Sequence, residues 1–315
     1  MKKPIVVLTG PTAVGKTELS IQLAKVIGGE IISADSMQVY KHMDVGSAKI
    51  TPEKMDGVRH YLVDELEPFD EFHVVKFQEY AQKYLNEIYA HGKIPIIAGG
   101  TGFYIQALLN DIDFTEQESD SAYRKELEAL AEEHGNQYLH DRLKEVDPES
   151  AEAIHPNNRK RVIRALEFYQ ETGRKISEHN AKEQMRTSPY NFAYFVLNDE
   201  RSHLYKRIDA RVDKMIEDGL EAEVRRLKEM GCTKDMVAMQ GIGYKEMLSY
   251  LDGSYSLEEA VYIIKRETRH FAKRQITWFK RERDVIWLNK NEFDYKNEAI
   301  LAYMIKILKE KAIIS

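Results

Sequence analysis

The stretch Gly10-Pro11-Thr12-Ala13-Val14-Gly15-Lys16-Thr17 constrains this chain more than any other. Two glycines with four residues between them, followed at once by Lys and Thr, have the spacing of a phosphate-binding loop. An apolar run at 5–8 precedes it and a helix-compatible segment at 18–24 follows, so the flanks read strand, then loop, then helix. Such a loop turns successive backbone N–H groups and a helix N-terminus toward one spot, where phosphate oxygens fit. Lys16 adds a point charge, and the Thr17 hydroxyl is a ligand for a divalent cation. An ordinary strand–turn–helix connection is the plain alternative; motif and flanks together count against it. The loop implies a ligand with at least two phosphates and does not say that it is ATP.

Two more short apolar runs, 30–33 and 94–98, read as strands parallel to the first. Between them, Phe77, Tyr80, Tyr84, Leu85 and Ile88 recur at three- and four-residue spacing, which predicts a helix over about 72–91. Strands alternating with helices imply an α/β fold of P-loop NTPase-like type. Its core is a doubly wound parallel sheet that binds ligands beyond the carboxyl ends of its strands. From about Thr115 to Ser188 the chain is polar and helical in pattern, without a good strand, and is expected to form a helical insertion. The core, 1–114 and 189–315, resumes with an aromatic strand at 192–197. Long helices are predicted over about 202–230 and 257–283, the second capped by Ser256. A strand at 285–288 and a terminal helix follow.

No apolar run approaches the length of a membrane span. The first run is too short, and too soon ended by Gly10-Pro11, to be a signal peptide. A single cysteine, Cys232, leaves no intramolecular disulfide and no cysteine-rich metal site, so a cytoplasmic location is expected. The net charge of −6 argues weakly against nucleic acid. Yet Lys265, Arg266, Arg269, Lys273, Arg274, Lys280, Arg281 and Arg283 face only Glu267 and Glu282 within the same stretch, and a footprint depends on where charge sits.

The other strand ends also carry chemistry. After the second come Asp35, Ser36, Met37 and Gln38. A doubly wound fold sets Asp35 across the cleft from Lys16, where a carboxylate can accept a proton or hold a metal-bound water. Gln38 suits the donor–acceptor edge of adenine. An Asp that merely caps a turn is the bland alternative. The third strand ends in Gly99-Gly100-Thr101-Gly102, where glycine lets backbone approach a ligand and Thr101 adds a hydroxyl. In the insertion, Lys160, Arg161 and Arg164 share a helix face, with Val162, Ile163, Leu166 and Tyr169 on the buried side. That face can equally be a solvated one. Arg207 and Arg211 stand one turn apart, fit either to neutralise a leaving diphosphate or to form surface salt bridges. A glycine-spaced turn, Gly241-Ile242-Gly243, leads toward the basic helix. That helix ends in Gln275-Ile276-Thr277-Trp278-Phe279-Lys280-Arg281, where aromatics suit base stacking or the core.

These pieces, in this order, resemble one family: the tRNA dimethylallyltransferases, also called tRNA isopentenyltransferases or IPP transferases. The resemblance rests on 10–17, 33–40, Asp44-Val45-Gly46-Ser47-Ala48-Lys49, 99–102, His155-Pro156-Asn157 and 161–167 with Thr172-Gly173. It continues through the Arg207/Arg211 segment, 242–246 and 275–279, and so spans nearly the whole chain. One small departure is Ser47 and Ile50, where the family usually has Thr and Pro.

The resemblance implies transfer of a dimethylallyl group from dimethylallyl diphosphate to the exocyclic N6 amine of the adenosine 3′ to the anticodon in tRNA. The diphosphate would lie on Gly10, Thr12, Ala13, Val14, Gly15, Lys16 and Thr17, with Mg²⁺ on Thr17. Asp35, Thr101, Lys16 and Arg211 would be the catalytic set. Asp35, Ser36, Met37, Gln38, Thr101, Arg124, Lys160, Arg161, Val162, Ile163 and Arg164 would touch the anticodon stem–loop. No membrane and no protein partner are implied. An adenylate isopentenyltransferase acting on free nucleotide would share the core without needing a basic insertion. A small-molecule phosphotransferase would share fold and loop, and a non-catalytic tRNA-binding module would not need Lys16, Thr17 and Asp35 around one cleft.

Overall fold

The computed structural model describes residues 2–112, 122–184 and 186–315. Two compact units emerge: 1–109 with 189–315, and 110–188. The first unit begins β1 (Lys3–Thr9), α1 (Lys16–Ile27), β2 (Gly29–Ala34), α2 (Pro52–Met55), β3 (His60–Tyr61), α3 (Val74–Ala90), β4 (Ile94–Gly99), α4 (Gly102–Leu109). The second unit contains α5 (Ala122–His134), α6 (Asn136–Val146), α7 (Pro148–Ala153), α8 (Arg159–Thr172) and α9 (Ile176–Gln184). The chain then returns to the first unit with β5 (Tyr190–Asn198), α10 (Arg201–Glu217), α11 (Leu220–Glu229), α12 (Tyr244–Leu251), α13 (Leu257–Phe279), β6 (Val285–Asn289) and α14 (Asn297–Glu310).

The six strands form one all-parallel sheet in the order β3-β2-β4-β1-β5-β6. Strand β1 lies between β4 and β5, with Val7 opposite Ile97 on one side and Tyr194 on the other. Alternate β1 side chains enter different cores: Ile5 and Val7 one, Val6 and Leu8 the other. Burial on both faces is why the run at 5–8 is continuously apolar instead of alternating. All five apolar runs read as strands are strands, each one to three residues longer than its apolar part.

Two features depart from the expectations. The helix expected over 202–230 is two helices, broken where Gly219 takes a left-handed φ of 95°. Strand β3, only two residues long, has no periodicity to announce it. Helix α13 starts at Ser256, whose hydroxyl accepts from the Glu259 amide while the Glu259 carboxylate accepts from the Ser256 amide, a reciprocal cap.

The second unit has its own core, built from Leu127, Leu139, Leu143, Val162, Ile163 and Leu166 among others. Buried Asp147 accepts from the amides and hydroxyls of Ser150 and Ser177. Burial alone would raise its pKa, but those four bonds hold it below the usual value. The expected boundary near Thr115 falls outside the described residues; the unit begins at 110.

Candidate active site

Strand β1 delivers the glycine-rich loop to the start of α1, whose N-cap, Gly15, offers no side-chain cap. The first-turn N–H groups of a helix have no intrahelical partner, so they are free to meet an anion. Lys16 folds back over the loop, donating to the carbonyls of Gly10 (3.0 Å) and Pro11 (2.8 Å). Burial pushes its pKa down to about 7; Asp35 pulls upward and Arg211 pushes the same way as burial.

Two loop amides already have partners within the protein. The Thr12 amide donates to Gln275 Oε1 at 2.8 Å, and the Val14 amide turns to the Pro11 carbonyl. The Val14 side chain is buried in the core behind the sheet. Thr12, Ala13, Gly15, Lys16 and Thr17 all line one cavity of about 860 Å³. Gly10 contributes its carbonyl to Lys16.

Asp35 follows directly on β2. Its Oδ1 accepts from the Met37 amide at 2.9 Å, so it does cap a turn, and it also lines the cavity with Gln38. Met37 packs against the core beside Gly241, while Ser36 is half-buried. From β4, Gly99 and Gly100 line the same cavity. Thr101 donates its amide to the Ala34 carbonyl at 3.1 Å and accepts at its own carbonyl from the first turn of α4. This ties the second strand end to the third.

Helix α10 brings Arg207 and Arg211 to the cavity wall. Arg207 Nε donates to the Ala13 carbonyl at 2.8 Å. Among the described residues neither guanidinium has a carboxylate within salt-bridge distance. Burial lowers the Arg211 pKa, Asp35 raises it, and Arg207 lowers it further. Lys16 and Arg211 thus both sense the Asp35 charge.

Gln275, only 6% exposed, has a function that the basic-helix pattern did not reveal. Its Nε2 donates to the Gly100 carbonyl at 2.9 Å while Oε1 holds the Thr12 amide. One side chain pins the phosphate loop to the end of β4. A Cβ at residue 100 would sit 2.3 Å from Gln275 Nε2, so a larger residue there would displace this side chain from its bonds. Trp278 packs against Gly102 and edge-on to Phe103, placing this aromatic in packing. A second brace is buried Glu223, which accepts from the amides of Asp44, Val45 and Gly46 and from the Tyr244 hydroxyl. Lys49 ties that loop to the Tyr40 carbonyl, Asp44 and Asp64. Ala48, Lys49 and Ile50 then form part of the cavity wall.

In the second unit, the proposed RNA-contact stretch divides. Lys160 and Arg161 are exposed. Val162 (0% exposed) and Ile163 (2%) belong to the core, which corrects their assignment as contact side chains. Arg124 forms a fork with buried Glu167, at 3.0 and 2.5 Å, so those donors are engaged within the protein. Arg164 is half-buried, and burial lowers its pKa against the pull of Glu167 and Glu171.

For a divalent cation, the Thr17 hydroxyl lines the cavity beside the loop and Asp35 lines it too. No cluster of three His, Cys, Asp or Glu occurs among the described residues. Sparse oxygen donors beside a phosphate cradle fit Mg²⁺, which is usually held by one or two protein ligands plus substrate phosphates.

Comparison with known proteins gives a consistent result. The family model described as IPP transferase matches residues 38–282. A tRNA dimethylallyltransferase of Lachnoclostridium phytofermentans is 64% identical, with 99% of both chains covered. Another from Acetivibrio thermocellus is 52% identical over 94% of this chain and 95% of that one. Among solved structures, the tRNA isopentenylpyrophosphate transferase of Bacillus halodurans is 45% identical, with a TM-score of 0.74 over 99% of this chain and 98% of that one. A eukaryotic dimethylallyltransferase acting on tRNA is 32% identical, with a TM-score of 0.79 over 91% of this chain and 74% of that one.

Proposed function

The chain belongs to the IPP transferase family, and from that footing we infer that it is a tRNA dimethylallyltransferase. It transfers the dimethylallyl group of dimethylallyl diphosphate to N6 of the adenosine 3′ to the anticodon. One observation carries the assignment to a site. A single cavity is lined by the loop residues Gly15, Lys16 and Thr17, by Arg211, and by Asp35 with Gln38.

In the reaction the allylic C–O bond breaks, its electron pair leaves with diphosphate, and a C–N bond forms. Lys16, Arg211 and the loop amides bind the charge that grows on the departing diphosphate. Such donors act through placement before the reaction begins. The N6 amine loses a proton, which Asp35 at the cavity wall accepts, or Asp35 orients the amine, while its Oδ1 holds the Met37 amide. Thr17 would hold Mg²⁺, which when bound neutralises diphosphate charge. An aryl amine is a poor nucleophile, so positioning supplies much of the rate. Gln38, Ser36 and Thr101 suit an adenine withdrawn from its stack.

For the RNA, Lys160 and Arg161 in the second unit supply exposed cations. In the first, His270, Lys273 and Arg274 of α13, with Arg281 just beyond its end, border a groove suited to phosphate contacts. No helix among the described residues is long and apolar enough to cross a membrane. A cytoplasmic site of action accords with the one free, buried thiol, Cys232.

The test is a transfer assay with labelled dimethylallyl diphosphate offered to an anticodon stem–loop and to AMP. Transfer to the stem–loop is expected; efficient use of AMP alone would sink the tRNA reading. A melting shift with ATP but none with dimethylallyl diphosphate would instead support a phosphotransferase.

A further inference from the structure

We propose that Lys290 is an additional diphosphate-binding residue, its ammonium taking the terminal phosphate from the far side of Gly15. This rests on the functional reading above. Lys290 stands immediately after β6 and opens the short turn Lys290–Phe293. It is 8% exposed. A Cβ placed on Gly15 would lie 3.7 Å from Lys290 Nζ and 3.4 Å from an Arg207 terminal nitrogen. Two cations thus lie together on one side of the glycine that caps α1, a helix end whose first-turn amides lack intrahelical partners.

The surroundings of this pair favour an anion. Burial and the Arg207 charge both lower the Lys290 pKa, and only the more distant Asp199 and Glu18 oppose them. Asp199 accepts from the Glu200 amide and lies near His203, and neither acid reaches Lys290 within 4 Å. A lysine that only laid its stem on apolar surface would send its head into water. Here the head is directed at the phosphate loop beside a second cation, a placement that disfavours both charges until a counter-charge arrives. The carbon under attack must face Asp35, which leaves the terminal phosphate as the part of the ligand available to this side of the loop.

The experiment is calorimetric titration of the full-length protein with inorganic diphosphate and Mg²⁺, on wild type, K290M, K290R and K290Q. Anticodon stem–loop affinity and ligand-free melting are measured alongside. K290M and K290Q are expected to bind diphosphate about tenfold more weakly, K290R close to wild type, and all four to bind the stem–loop equally. The KM for dimethylallyl diphosphate should rise by a similar factor. K290Q keeps the test valid should K290M fail to fold. Unchanged diphosphate affinity in K290M or K290Q overturns the Lys290 assignment and leaves the functional reading standing. Failure of wild type to bind diphosphate at all overturns both.

Discussion

Substituting Glu223 by Gln changes one atom's chemistry and almost no volume, and the structure gives a large expected effect. Four donors converge on this buried carboxylate. Oε2 accepts from the Asp44 and Val45 amides at 2.8 and 2.7 Å, and Oε1 from the Gly46 amide at 3.0 Å and the Tyr244 hydroxyl at 2.8 Å. With Gln, one oxygen still serves two donors, while an NH2 group faces the other two. The tyrosine can rotate to accept, but one backbone N–H is left opposite another donor. Stranding a buried donor costs about 1–3 kcal/mol, and bonds to a charged acceptor are worth about 1.5–3 kcal/mol against about 1 for neutral ones. Together these give about 2–4 kcal/mol for holding the 44–46 loop closed.

Hydrogen exchange reads that loop directly. If the three amides exchange through local opening, 2–4 kcal/mol corresponds to about 30- to 1,000-fold faster exchange at Asp44, Val45 and Gly46. Amides of the central strand β1 should move far less. The loop continues into the cavity wall at Ala48–Ile50, so the KM of the transfer reaction should rise as well. Exchange within threefold of wild type in E223Q would refute the reasoning, since it would mean that the carboxylate contributes no more than a neutral amide.

Three further outcomes are expected. Lys16 sits near pKa 7 in the empty protein, below its ordinary value of 10.5, so the unfolded chain binds more protons between these values and Lys16 makes stability rise with pH across that window. A bound diphosphate favours the charged form, so binding near pH 8 should take up most of one proton at Lys16, measured by calorimetry in buffers of differing ionisation enthalpy; equal uptake in K16M would remove Lys16 as its source. Asp35→Asn should bind both substrates yet lose about 10²–10⁴-fold in single-turnover transfer if Asp35 accepts the proton, whereas unchanged turnover would take it out of the mechanism. Arg161→Ala should weaken stem–loop binding and lower its salt dependence by about one charge, while Val162→Ala should cost about 2 kcal/mol of stability with the salt dependence intact; a reversed pattern would mean that the burial argument for this helix is wrong.

Much of the fold was legible because its signals are local. A strand buried on both faces is a plain apolar run, and the loop after β1 has its own spacing. What stayed hidden depends on tertiary contact. Strand β3 is two residues paired to β2, too short for any period. Gly219 breaks a helix inside a pattern that continues across it. For Val162 and Ile163, periodicity pointed to the core while resemblance drew the whole stretch into the RNA contact. A shared motif marks a segment, but side-chain direction is set by the helix on which it rides. Gln275 and Glu223 show the same limit. Each is an ordinary polar residue in a helical run until the fold brings distant backbone amides to it, at 263 and 177–179 residues' separation.

The charges around the cleft also suit the proposed role of the loop in holding a leaving group. Lys16, Arg207, Arg211 and Lys290 gather at or beside the phosphate loop, and Asp35 is the carboxylate that both Lys16 and Arg211 sense. The three whose pKa values shift all shift downward, with burial the leading cause in each. Without an anion, then, this is a set of cations held against desolvation and mutual repulsion. A diphosphate relieves that cost, and it does so increasingly as the C–O bond breaks and negative charge collects on the departing oxygen. The stabilisation is greatest where charge develops, which is the condition for lowering a barrier instead of merely tightening binding. On the proposed mechanism, replacing Asp35 by a neutral group removes the proton acceptor, and replacing the cations by neutral groups removes the leaving-group stabilisation. The mixed signs across this cavity are the requirement of a reaction that expels an anion while deprotonating an amine.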